Sequence, residues 1–197
     1  MPEDNPFQWD AAKQLLGDTI AAHVGVSASN KEHEMGKLGA GLAGGLTLNV
    51  AMLLTFRLLG FGWTGGGVLL ASPLQSGKFV AVWTQLEPLP KIVVAPAPML
   101  IGLLLFGFVH AAIYDWLAPH WPTGVIARAF RFAGLNFVLA YLFFEFFTPF
   151  NLFGEPLVLV ALELVFWLIV ATAEAFVIAS IAERARRRSV PGLQTPA

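Results

Sequence analysis

The sequence predicts an all-α polytopic membrane protein, a four-transmembrane-helix bundle behind a polar N-terminal lead. Three observations carry this expectation. Hydrophobic residues make up 56% of the 197 and charged residues only 13%, about half the charged share of a soluble chain. Four apolar stretches each approach or exceed the ~20 residues that a helix needs to cross a hydrocarbon core. Basic residues gather directly after the last stretch, at Arg184, Arg186, Arg187 and Arg188. Seventeen Phe and six Trp agree with this, because lipid accepts large apolar rings that water rejects. A net charge of −1 gives no reason to expect nucleic acid as a partner. The absence of Cys excludes disulfides, thiolate metal sites and thiol nucleophiles.

Residues 1–35 read as a polar cytoplasmic segment. No basic region there leads into an apolar core, so no secretory signal is expected. Asp4-Asn5-Pro6 resembles a helix start, and Phe7, Ala11, Leu15 and Ile20 follow at roughly helical spacing. Interfacial helices are usually rich in Lys and Arg. This one has Lys13 alone against Glu3, Asp4, Asp10 and Asp18, so a simple lead-in is preferred to a membrane-surface or subunit-docking helix.

The membrane domain is expected over 36–182, with spans near 36–60, 95–117, 125–148 and 156–182. In the first span Gly36, Ala40 and Gly44 repeat every four residues, and Gly41 with Gly45 forms a second such pair. Small residues at that spacing let helix backbones approach closely. This face serves either packing inside the chain, the preferred use, or self-association. Residues 61–94 are too long and interrupted for a tight turn. Gly65-Gly66-Gly67 is no phosphate loop, since no strand precedes it and no Gly-Lys-Ser/Thr follows. Phe79–Trp83 reads equally as a short strand or an interfacial segment.

Pro96 and Pro98 open the second span, and Tyr114, Trp116 and Trp121 at its end suit an aromatic belt. Between the third and fourth spans Pro149 is expected to stop the helix, Asn151 to sit in the turn, and Glu155-Pro156 to start the next helix. A ligand site at this mouth, using Asn151, Glu155 and Glu145, is less favoured than plain hairpin geometry. Residues 183–197 form a basic cytoplasmic tail. The positive-inside rule places both termini in the cytoplasm, with Lys78 and Lys91 in the first loop dissenting. This bias points to the inner (plasma) membrane.

Ionisable groups within apolar spans are costly, about 2.5–3.5 kcal/mol near a helix centre, and they usually face the bundle interior. At 1.5 Å rise per residue, Arg57, Glu145 and Glu163 fall roughly 10–13 Å to the outer side of the midplane. His110, Arg131 and Glu174 fall roughly 7–10 Å to the cytoplasmic side, with Asn49 and Asn136 near the middle. Glu163 and Glu174 lie eleven residues apart, close to three turns, and so share a face with Trp167 and Val170. Arg131 and Glu145, fourteen apart, also fall on nearly one side. The expected network pairs Arg57 with Glu145 or Glu163, and Glu174 with His110 or Arg131.

Two functions follow from these layers. The preferred one is a non-enzymatic structural or accessory membrane component, with the polar groups fixing helix register. The alternative is a small proton or solute channel or transporter running from Glu145 and Glu163 across the amide pair to His110 and Glu174. A buried carboxyl and an imidazole are the groups able to exchange protons near neutral pH. No Glu-x-x-His pair, HExxH or GxSxG occurs, so neither a metal, a cofactor nor a catalytic residue is expected. The expected partners are the bilayer and either a second copy, through Gly36, Ala40 and Gly44, or a larger membrane complex.

Overall fold

In the computed structural model, residues 33–189 and the isolated Gln14 are described. The expected helix around Phe7–Ile20 lies outside that range. The described chain is all-helical and contains four helices long and apolar enough to cross a membrane. These are α1 (His33–Gly60), α3 (Ala97–Leu117), α4 (Val125–Leu152) and α5 (Leu157–Ser189). A shorter helix, α2 (Gly77–Thr84), lies in the first loop.

The bundle is organised around α5. Its buried stripe of Ala171, Ala175, Ile178, Ala179 and Ala182 repeats at three- and four-residue steps, which marks one face of a helix. The first half of α4 packs along it most extensively, and α1 and α3 also contact it. Small residues make this closeness possible. Ala129 and Ala133 on α4 and Ala111 on α3 are likewise buried. The outward faces carry Leu46, Leu105, Val138, Phe143, Val165 and Ile169, all exposed. Small residues within and large apolar ones without is the pattern of helices that associate in lipid.

The glycines of α1 serve two faces. A methyl group on Gly36 would stand 2.3 Å from Ala185 Cβ, and one on Gly44 would stand 2.7 Å from Ile178. The Gly36, Ala40 and Gly44 face therefore packs against α5 within the chain. Gly41 and Gly45 face α3 instead. A methyl on Gly107 would lie 2.2 Å from the Gly45 backbone nitrogen, so only glycine permits this crossing.

Helix boundaries depart from expectation at the last hairpin. Pro149 does not stop α4, which runs on to Leu152 with Asn151 inside it. The segments Phe137–Leu142 and Phe146–Leu152 are π-helical, with hydrogen bonds reaching one residue further than in an α-helix. That wider turn moves the carbonyl with which a proline ring would otherwise clash. The chain then reverses at Gly154, whose φ of +66° suits a residue without Cβ. The strand reading of Phe79–Trp83 is overturned, because the segment lies in α2, a helix. Ser76 caps α2 by accepting from the Phe79 N–H at 3.1 Å. Tyr114 also departs from expectation: it is fully buried and belongs to the core rather than to an aromatic belt.

Candidate functional site

The ionisable groups gather at three levels along α5. At the level nearest its C-terminus, Arg128 donates to Glu183 at 2.6 Å, and the Tyr114 hydroxyl donates to the same oxygen at 3.0 Å. Arg186 bonds Asp115 at 2.7 Å, and His33 and Lys37 approach that carboxylate at 3.2 and 3.5 Å. Each acid here has a cation, so α1, α3, α4 and α5 are tied together at one end. Sequence reasoning passed over Asp115, Arg128, Glu183 and Arg186 as binding partners. The available signal was Asp115 at the end of one apolar segment, on the side where the arginines follow another.

At the middle level His110 Nδ1 lies 2.9 Å from Glu174 Oε1. Glu174 is fully buried, and its second oxygen has no hydrogen-bond partner among the described residues. The Phe132 ring stands edge-on to the imidazole at 6.1 Å. Arg131, the other expected partner of Glu174, is exposed and makes no ion pair with it. The π-helical residues 137–142 lie between Arg131 and Glu145. A wide turn takes up extra residues, so a fourteen-residue interval no longer returns to the same side. Glu145 faces inward and Arg131 outward.

At the third level, beside the α4–α5 reversal, three carboxyls meet. Glu145, Glu155 and Glu163 are 1%, 1% and 3% exposed, and the Glu163 carboxyl is within hydrogen-bonding reach of both others. The Trp167 indole N–H donates to Glu145. The Gln75 amide donates to Glu155 at 2.5 Å. No lysine or arginine pairs with any of the three among the described residues. Arg57, expected here, turns instead to the loop, donating to the Gly62 and Trp63 carbonyls at 3.4 and 3.2 Å with its guanidinium 5.3 Å from the Trp63 ring. Carboxyl groups in direct contact cannot all be charged without strong repulsion, so such a cluster shares protons. Burial pushes the Glu155 carboxyl, which lies outside the long helices, above the usual carboxylate range.

The first loop covers this cluster. Besides Gln75, the Ser76 hydroxyl donates to the Phe153 carbonyl at 2.6 Å, and the Lys78 ammonium donates to the Leu152 carbonyl. Phe79 packs edge-on against Phe153 at 5.8 Å. Glu155 thus joins the candidate residues, held by a glutamine 80 positions away.

The amides do not form a pair between the carboxyl levels. Asn49 donates to the Gly45 and Leu100 carbonyls at 2.8 and 3.3 Å, on the side where α1 meets α3. Asn136 is buried on α4, its amide nitrogen without a hydrogen-bond partner among the described residues. What stands between the levels is aromatic. The Tyr141 ring stacks on Trp167 at 4.3 Å with an 8° tilt. A groove of about 420 Å³ between α1 and α5 is lined by apolar residues such as Leu46, Val50, Leu54 and Ile169 and touches none of these carboxyls. Among the described residues no three side chains converge to hold a metal ion. No protein family, no curated protein and no solved structure matches this chain.

Proposed function

We propose that the chain is an integral inner-membrane protein that crosses the bilayer four times, keeps both termini in the cytoplasm and serves as a non-enzymatic component of the membrane. One observation carries this reading: the four long helices turn apolar side chains outward and their carboxyls inward, as a lipid solvent requires. The arginine-bearing end of α5, joined to α3 and α4 by ion pairs, supports its cytoplasmic placement. The test has two arms. Reporter fusions are expected to place both termini on the cytoplasmic face, and mild-detergent purification followed by mass spectrometry is expected to recover a larger complex. Termini on opposite faces, or a chain that always purifies alone, defeat the corresponding part.

A second reading is favoured by the carboxyl cluster. If the polar groups served register alone, Arg57 would be the natural counter-charge for Glu145 or Glu163, yet it bonds the loop. Three buried carboxyls without a cation instead suit a small proton channel or proton-linked transporter. In liposomes with an imposed pH gradient, the purified protein is expected to dissipate the gradient, and Glu163→Gln to abolish the effect. A gradient held as in protein-free liposomes removes this reading.

A further inference from the structure

Resting on the four-span reading of the chain, we propose that the exposed guanidinium of Arg131 docks the phosphate of an anionic phospholipid. Arg131 lies within α4, one of the helices long and apolar enough to cross a membrane. It stands about 9 Å along the axis from the first residue, Val125. The side chain is exposed, and so are the apolar residues Ile126, Phe130 and Val138 around it. In a bilayer that face meets acyl chains, where a cation left without an anion is costly. The chain supplies no such anion. Glu174 turns inward to His110 at 2.9 Å, Glu145 takes the Trp167 N–H, and Glu183 is held by Arg128 at 2.6 Å. Among the described residues Arg131 has neither an ion pair nor a side-chain hydrogen bond, and the bilayer's own anion is the phosphate of its headgroups.

Helix direction aims the side chain toward that anion. Cα–Cβ bonds tilt toward a helix N-terminus, and the N-terminal turns of α4 lie at the end of the bundle where Arg128 meets Glu183. A long arginine stem can therefore run over apolar surface and carry its charge to the headgroup layer. On the next turn, deeper on the same face, Gly134 is exposed, and a methyl group there would meet nothing within 4 Å. An acyl chain descending from the bound phosphate has open space against the helix. Charge at this end selects the headgroup. Its acids are already paired, Glu34 with Lys37, Asp115 with Arg186 and Glu183 with Arg128. Arg184, Arg187 and Arg188 remain exposed and outside any ion pair among the described residues. The surplus is positive, which favours a net-negative headgroup over a zwitterionic one, and a guanidinium fork matches two phosphate oxygens at once.

The experiment is native mass spectrometry of the full-length protein, released from detergent micelles holding equal amounts of phosphatidylglycerol and phosphatidylcholine. The unmodified protein is expected to retain phosphatidylglycerol in preference. Arg131→Gln should lower that retention about fivefold, the worth of one surface charge, with the melting temperature unchanged. Arg131→Lys, which keeps the charge, should restore most of it. Equal retention of the two lipids, or a preference that Arg131→Gln leaves intact, overturns the proposal and spares the four-span reading. A chain that alkaline carbonate strips from membranes overturns both. An acidic protein that occupies the unmodified chain in place of lipid, and is lost with Arg131→Gln, overturns the lipid assignment. Should Arg131→Gln not fold, Arg131→Leu takes its place with the same expected loss, since an apolar side chain suits a lipid-facing position.

Discussion

The two ends of the α4–α5 pair carry similar numbers of acids and treat them in opposite ways. At one end Asp115 and Glu183 each meet an arginine, at 2.7 and 2.6 Å. At the other Glu145, Glu155 and Glu163 meet one another, with an indole, an amide and no cation among the described residues. A compensated pair acts as a clamp, costly to break and otherwise silent. An uncompensated group of carboxyls must hold protons, so its state follows the pH that reaches it. The molecule therefore separates a structural end from a responsive one.

The largest effect is expected at the clamp. Arg128→Ala leaves Glu183 buried beside Tyr114 with only Arg186, at 3.4 Å, as a cation, and removing one partner of a buried pair costs up to about 3–5 kcal/mol. Thermal unfolding in detergent should show the loss, and adding Glu183→Gln should recover most of it. A loss under about 1 kcal/mol would reduce the clamp to an ordinary surface pair.

At the other end the sign reverses. Glu163→Gln keeps the shape and removes one of three competing carboxyls, so stability should hold or rise by up to about 2 kcal/mol. If it falls as steeply as Arg128→Ala, the contrast between the ends fails.

The pH dependence sharpens the same point. Burial holds Glu155 protonated in the folded chain to higher pH than in the unfolded one. The folded state then binds the extra proton, and this contribution is complete below the ordinary carboxylate range. It is lost as pH rises through the raised native value. Stability should therefore fall with rising pH across that window, by no more than about 1.4 kcal/mol per pH unit for a single proton. Glu155→Gln should flatten the slope, and unfolding curves at a series of pH values would reveal it.

The smallest effect belongs to the covering loop. Gln75→Ala removes the hydrogen bond to Glu155 and should cost about 0.5–1.5 kcal/mol. Limited proteolysis should then cut within 61–94 faster, while the ends of the long helices stay protected.

Much of the architecture could be read from the chain because it is written locally. Hydropathy over some twenty residues marked the four long helices, and the eleven-residue interval from Glu163 to Glu174 put both on a face that the structure buries with Trp167 and Val170. The same method failed between Arg131 and Glu145. It assumed a uniform helix, and the wide turns of Phe137–Leu142 rotate one against the other. Pro149 misled for a related reason, since a proline ends an α-helix but fits a π turn.

By itself, then, the sequence determined that the chain would be helical, where its four long helices would lie and that their small residues would mark the close crossings. These follow from composition and periodicity within a single segment. Only the tertiary structure decided the partners: Arg186 with Asp115 across 71 positions, Gln75 with Glu155 across 80, Arg57 with its own loop. A charged side chain can be satisfied by any group that folding brings within about 3 Å. That choice depends on helix rotation and loop path, which no local pattern records.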